Sequence, residues 1–212
     1  MNTYTKEEAI NIVCTCATIY KKELAGKSLL FFCMDKHKKI FPFEANFRVK
    51  NFLHLTGIKT KLPAKDFFRR CLSHNLSPAE FEFAIDGTTQ LKLNVLKTII
   101  SKILSASMFG IYLSSKAYLY TEYLIGNNKG CMGFVKRGDP VEYIPNTILF
   151  EDIRTISKPF YRIISIYRKD LDSKNNYSEC VYKAKSIDWE TIVYPVPYTY
   201  IKPSGGCDTK IF

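Results

Sequence analysis

Apolar and polar positions follow two different rhythms along this chain, and the change falls near residue 107. Before it, helical spacing dominates. Thr5 and Glu8 form a T-x-x-E capping pattern, and Ile10, Val13, Cys14, Ala17, Ile19 and Tyr20 then recur at near-helical intervals. That predicts a helix over residues 6–25, ended by Gly26. The apolar runs "SLLFFCMD" (28–35) and "IFPFEANF" (40–47) flank the polar turn "KHKK" and predict a hairpin. Pro42 has no N–H to give to a neighbour, so its strand belongs at a sheet edge. Asn51 to Leu55 predict one helical turn closed by Gly57. Pro63 opens a helix whose stripe is Phe67, Phe68, Cys71 and Leu72, and Ser77-Pro78 with Glu80 repeats a start signal. Residues 88–105 carry Leu91, Leu93, Val95, Leu96, Ile99, Ile100, Ile103 and Leu104, a helix buried on more than one face.

After residue 107 the runs are short and β-rich: "MFGIYLSS", "KGCMGFVK", "VEYIPNTILF", "RIISIYRK" and "ECVYKAKSI". Turn signals separate them: "GNNKG", "KRGDP", "SKP" and "DSKNN". Helices and a hairpin first, strands afterwards, predict an α+β fold with N-terminal helices and a hairpin packed on a C-terminal antiparallel sheet. The Pro-containing tail from Trp189 reads as extended. No run approaches the ~18 apolar residues of a membrane span, and charges interrupt the N-terminal stretch where a signal peptide would need an apolar core.

Charge narrows the function class. The 212 residues carry a formal net charge of +11. The excess is concentrated at the start: residues 1–75 hold 14 Lys/Arg against 6 Asp/Glu. A polyanion, most simply nucleic acid, is the partner such a surface favours. Seven cysteines, an odd number with no CxxC pair, read as reduced thiols and place the chain in a reducing compartment, the cytoplasm. The three histidines lie too far apart in sequence to propose a metal site, and no cofactor motif is present.

Two constellations bear chemistry. In "NFRVKNFLHLTGIKTK" (46–61) the only histidine, His54, sits between buried-type residues, with Arg48, Lys50, Lys59 and Lys61 around it. An imidazole there is either a packed polar residue or a proton carrier in a basic site. On the strand-rich half, Lys136, Arg137, Tyr143, Asn146, Thr147, Arg154, Arg162 and Arg168 supply cations and hydrogen-bond donors. Arg162 and Arg168 are six residues apart, so an unbroken strand puts them on one face. Edge protection of a solvated sheet explains these cations equally well.

The segments "NFLHLTGIK", "KDFFRRCL", "DGTTQLKL", "YLIGNNKGCMGFVK", "YIPNTILFEDIR" and "RIISIYRK…CVYKAKSID" together resemble a phage- and mobile-element-associated nuclease family, the fourth of its kind in the Barnase–EndoU–colicin–RelE-like (BECR) superfamily. The phrase around His54 is the most distinctive. The resemblance implies an α+β fold of BECR (RelE/barnase-like) type, with helices on an antiparallel sheet of about four strands. It sets residues 40–188 as the nuclease domain, 1–39 as an add-on and 189–212 as the tail. The activity it implies is metal-independent endoribonuclease cleavage through 2′-OH attack to a 2′,3′-cyclic phosphate, in a toxin or phage-conflict effector. RNA (tRNA or mRNA) and a cognate inhibitor protein would be the partners. His54 would be general acid or base, with Thr56 and Thr147 orienting it or binding phosphate. Lys50, Lys136, Tyr143, Asn146 and Arg162 would line the RNA path. Superfamily members do not share one catalytic set; where Arg, Lys and Tyr do the work, Arg162 and Tyr143 take the place of His54. A non-catalytic nucleic-acid-binding module and an interaction protein of a mobile element remain as alternatives.

Overall fold

The computed structural model describes residues 3–113, 120–139 and 141–203. Helix α1 (Lys6–Glu23) starts at the predicted cap: the Glu8 backbone N–H donates to Thr5 Oγ1, and the Thr5 N–H donates to the Glu8 carboxylate. Strands β1 (Lys27–Met34) and β2 (Ile40–Phe47) form the hairpin. A short helix α2 (Phe52–Thr56), a two-residue strand β3 (Lys59–Thr60) and helix α3 (Ala64–Leu72) follow. The Ser77 signal opens only a single 3-10 turn before strand β4 (Phe81–Glu82), which pairs with β3. Helix α4 (Thr88–Lys102) closes the helical half.

Strands β5 (Met108–Tyr112), β6 (Tyr123–Gly126), β7 (Cys131–Arg137) and β8 (Glu142–Leu149), a short helix α5 (Ile153–Ile156), and strands β9 (Ser157–Asp170) and β10 (Glu179–Lys183) complete the order. Among the described residues the main sheet is antiparallel and has eight strands, in the order β2-β1-β9-β5-β6-β7-β8 with β10 also on β9. Eight exceeds the number the resemblance implied: the N-terminal hairpin joins the same sheet instead of packing on it, and six strands stand without it. Strand β1 lies between β2 and β9, so a boundary between residues 39 and 40 cuts through the hairpin turn. Pro42 stands on β2, at the edge, as its missing N–H requires.

The sheet curls until its end strands β2 and β8 lie against each other. Asn46 Nδ2 donates to the Glu142 carboxylate across that gap (2.8 Å), and Arg48 donates to it through Nε (3.2 Å) and Nη2 (2.9 Å). Inside the curl, Phe31, Phe43, Phe109, Phe134 and Ile163 pack against Val13 and Ala17 of α1 and Leu93, Leu96 and Ile100 of α4. The outer face has its own core: Leu30, Phe32, Ile164 and Tyr167 under the tail, with Phe32 and Tyr194 stacked at 3.8 Å. The tail is therefore docked through residue 203, with one 3-10 turn at Trp189–Thr191; residues 204–212, and Ser114 and Ser115 of the expected "MFGIYLSS" strand, lie outside the described residues.

One parity expectation fails for a physical reason. A bulge in the β1–β9 pairing shifts the register between Phe32 and Cys33. Arg168 pairs with Leu29, whose side chain faces the inner core, whereas Arg162 pairs with Met34, on the outer side. The extra residue in β9 thus turns the two arginines to opposite faces. Arg168 is held by the Glu23 and Glu179 carboxylates, and Arg162 Nη2 donates to Ser186 Oγ at 2.5 Å.

Candidate nucleic-acid cleavage site

Five residues cannot hold a helix by themselves in water, so α2 depends on its neighbours. Phe52 is fully buried, with its ring 5.3 Å from Tyr20 and 5.1 Å from Phe68; burial of such a side chain stabilises by about 3 kcal/mol. The Tyr20 hydroxyl donates to the Arg48 carbonyl (3.0 Å) and fixes the approach to the helix. Gly57 closes α2 in the left-handed region at φ +71°. It also lets α4 come close: a Cβ there would stand 2.9 Å from Lys92 Cδ and 3.2 Å from Thr89 Cα. Thr89 Oγ1 donates to the Gly57 carbonyl (2.7 Å) while accepting from the Ala84 N–H (2.8 Å).

This clamp ends at Lys92. Its side chain runs under α2, only 9% of the residue is exposed, and Nζ donates to the His54 carbonyl at 2.8 Å. Burial, with the nearby Lys59 charge adding to it, brings the Lys92 amine down to about 8. The His54 ring points outward and is exposed. Partial burial, then the charges of Lys92, Arg137 and Lys59, hold its pKa below the usual imidazole value. At neutral pH the ring is therefore uncharged and able to accept a proton, although it stands among three cations. Lys59 and Arg137 make no ion pair among the described residues, so both are available to an anion.

A cavity of ≈ 590 Å³ lies at the β2–β8 gap, and none of His54, Lys59, Lys92 and Arg137 lines it. Its walls are largely aromatic: Phe41 and Phe43 from β2, Phe109 from β5, Tyr123 from β6, Tyr143 from β8 and Tyr161 from β9. Burial first, then hydrogen bonding with Tyr123, pushes Tyr143 up to about 12, so its hydroxyl stays protonated. Glu142 belongs to the cavity wall and is the cross-strand partner of Arg137. Arg137, whose charge acts on His54, is thus the cross-strand partner of one residue of the cavity wall.

The residues singled out from the sequence divide into two groups. His54 stands in the cation cluster. Lys50 is exposed on the turn before α2, and its charge helps to hold the Glu142 carboxyl below its usual range. Lys136 lies 5.9 Å from the ring of Tyr143, a cavity-wall residue, and 3.7 Å from Glu122, but does not itself line the cavity. The others are engaged elsewhere. Thr56 is fully buried; its hydroxyl donates to the Leu53 carbonyl (2.8 Å) and accepts from the Ile58 N–H (3.1 Å), closing the α2 turn without reaching the ring. Thr147 is buried beside Gly133, where its methyl stands against the space a Cβ would take. Asn146 holds the chain before β6, with Nδ2 donating to the Tyr120 carbonyl at 2.6 Å and Oδ1 accepting from the Thr121 hydroxyl at 3.4 Å. Arg162 lies on the outer face.

Lys92 has no distinct signal in the sequence: α4 also carries Lys97 and Lys102, and only the packing of α4 under α2 buries Lys92. Arg137 reads in the sequence as one cation among many; its charge reaches His54 because β8, the strand paired with β7, packs on α2. Among the described residues, no three His, Cys, Asp or Glu side chains cluster as metal ligands, and no helix is long and apolar enough to cross a membrane.

A family model described as phage-Barnase-EndoU-ColicinE5/D-RelE like nuclease4 matches residues 12–186. The matched span includes most of α1 and the whole β1–β2 hairpin, along with α2 and both sides of the cavity. No curated protein and no solved structure matches the chain.

Proposed function

The chain belongs to this phage-Barnase-EndoU-ColicinE5/D-RelE like nuclease family, and on that premise we propose that it is a metal-independent endoribonuclease that cuts RNA by internal transesterification. The observation that carries the proposal is the His54 imidazole, exposed and depressed below its usual pKa by partial burial and by Lys92, Arg137 and Lys59. Cleavage of this kind needs a base for the ribose 2′-OH and cations for the charge that builds on phosphorus. Neutral His54 takes the 2′-OH proton. The 2′-oxygen bonds to the adjacent phosphorus, and the bond to the 5′-oxygen breaks. Lys59 and Arg137 hold the non-bridging oxygens. The departing 5′-oxygen takes its proton from solvent, and imidazolium returns its proton to solvent. The products are a 2′,3′-cyclic phosphate and a free 5′-hydroxyl.

Lys50 would guide the backbone toward the ring, and Lys136 with Tyr143 would meet a base at the cavity. Thr56 supports the site through the α2 backbone. The phage association of the family fits a toxin or conflict effector acting on tRNA or mRNA in the cytoplasm, restrained in its own host by an inhibitor protein. The test is digestion of an RNA oligonucleotide and its all-deoxy counterpart in EDTA. The expected result is RNA fragments with 2′,3′-cyclic phosphate ends, intact DNA, and growth arrest on induced expression. RNA left whole at every protein concentration overturns the proposal, and so does equal cutting of the deoxy strand.

A further inference from the structure

The β3–β4 pair carries a turn to the edge of the cation cluster. Lys59 is the cross-strand partner of Glu82, and two residues further on the same register sets Ala84 opposite Gly57, which closes α2. Thr89 Oγ1 ties the two together, accepting from the Ala84 N–H and donating to the Gly57 carbonyl. The chain then reverses over residues 84–87. The Gly87 N–H donates to the Ala84 carbonyl at 3.0 Å, Gly87 stands at φ +75°, and Asp86 Oδ1 accepts from the Thr88 N–H at 3.0 Å. The turn and His54 are therefore both held on the first turns of α4, one through Thr89 and the other through Lys92. The Lys59 charge acts on the His54 ring and on the Asp86 carboxylate alike.

Ile85 and Asp86 form the tip. Ile85 is fully exposed, at 107%, and no other large apolar side chain among the described residues is as open. Turns favour Gly, Pro, Asn, Asp and Ser, so the bend itself does not call for isoleucine. Single exposed apolar side chains are common on protein surfaces. This one differs in standing on a bend fixed by four hydrogen bonds, next to the end of the helix that carries the histidine.

We infer that Ile85 is a wedge that enters between the two bases flanking the phosphate at His54 and unstacks them. The inference rests on the ribonuclease reading for its ligand. Attack by the 2′-oxygen requires it to stand in line with phosphorus and the departing 5′-oxygen, and a stacked strand holds it to one side. Cations can grip the phosphate but cannot part the bases. An apolar body can, and isoleucine is among the side chains that proteins insert between base steps. The unstacking cost is offset by covering Ile85 and by the phosphate contacts of Lys59 and Arg137. The Asp86 carboxylate repels phosphate from the tip, which turns the backbone toward those cations and a base step toward Ile85.

The test uses 2′-fluoro RNA decamers, which lack the attacking hydroxyl, with one 2-aminopurine on either side of A, C, G or U. Stacking quenches this probe. At saturation by the full chain, followed by anisotropy, emission should rise about twofold or more for at least one step. Ile85→Ser should bind within about threefold of wild type, because phosphate contacts carry the affinity, and should leave emission flat. Ile85→Leu should restore the rise. On cleavable RNA, Ile85→Ser should lower kcat about tenfold or more, with KM within about threefold and the acid midpoint unmoved. The exposed position should leave its denaturant midpoint at the wild-type value. An equal rise in wild type and Ile85→Ser, or no rise in wild type on any decamer, overturns the wedge, and so does a wild-type kcat in Ile85→Ser. A rise that depends on Ile85 in a protein that leaves RNA intact supports the wedge and removes the cleavage proposal. RNA cleavage with no rise overturns the wedge alone.

Discussion

Replacing Lys92 with Met tests how the site is held. The substitution keeps the length of the stem beneath α2 and removes the ammonium that donates to the His54 carbonyl. The amine has a folded-state pKa of about 8 against its ordinary 10.5. Between those values the unfolded chain binds the extra proton, so Lys92 makes stability rise with pH across that window and contributes no slope below or above it. The full excursion is about 3 kcal/mol from a depression of this size. Below pH 8 the wild type bears that whole penalty, offset by the bond to the His54 carbonyl. Met removes the penalty and leaves the carbonyl without its donor, a loss of about 1–3 kcal/mol. The two terms oppose each other, so stability at pH 7 should change by no more than about 2 kcal/mol. Denaturant unfolding of both proteins at pH 7, 9 and 10.5 gives the difference curve, in which the tyrosines and cysteines common to both cancel. The stability of wild type relative to Lys92→Met should climb by about 3 kcal/mol over that range. NMR titration should also show the His54 pKa rising in the variant, because one repelling charge is gone. A flat difference curve with an unmoved His54 would refute the buried-amine account.

Gly57→Ala places a Cβ in the left-handed region and within 3.2 Å of the Thr89 backbone. It should destabilise by about 2 kcal/mol, read as a fall of about 4–8 °C in Tm. Arg137→Ala should reduce kcat/KM for RNA by about tenfold or more, whereas Arg162→Ala, on the outer face, should leave it within about twofold. The pH–rate profile should lose activity on the acid side with a midpoint below 6.5, since the base is a histidine whose pKa is lowered; a midpoint above 7 would point to another group.

Local signals in the sequence carried a good part of this picture. The Thr5–Glu8 box, the Gly57 stop and the edge position of Pro42 each depend on a few adjacent residues, and each is found where the pattern put it. His54 stood out because one titratable group interrupts an apolar phrase. Features set by distant pairing were not legible. Strand β6 is four residues of "YLIG" attached to a turn signal, and it becomes a strand only because β5 and β7 flank it. The bulge that separates Arg162 from Arg168 arises in the pairing of β9 with β1, more than a hundred residues earlier in the chain. Thr147 and Asn146 read in the sequence as free hydrogen-bonding groups; in the fold Thr147 is buried beside Gly133 and Thr121, and Asn146 is engaged by Tyr120 and Thr121. The aromatic cavity draws its walls from five strands, and no window of sequence contains it.

The most direct test of the central claim is chemical rescue of His54→Ala. The side chain is exposed, so the variant should fold normally and lose RNA cleavage by about a hundredfold or more. Added imidazole should restore part of the rate in proportion to its neutral fraction, with the same 2′,3′-cyclic ends. A His54→Ala protein that cuts RNA at the wild-type rate, with or without imidazole, would contradict the account.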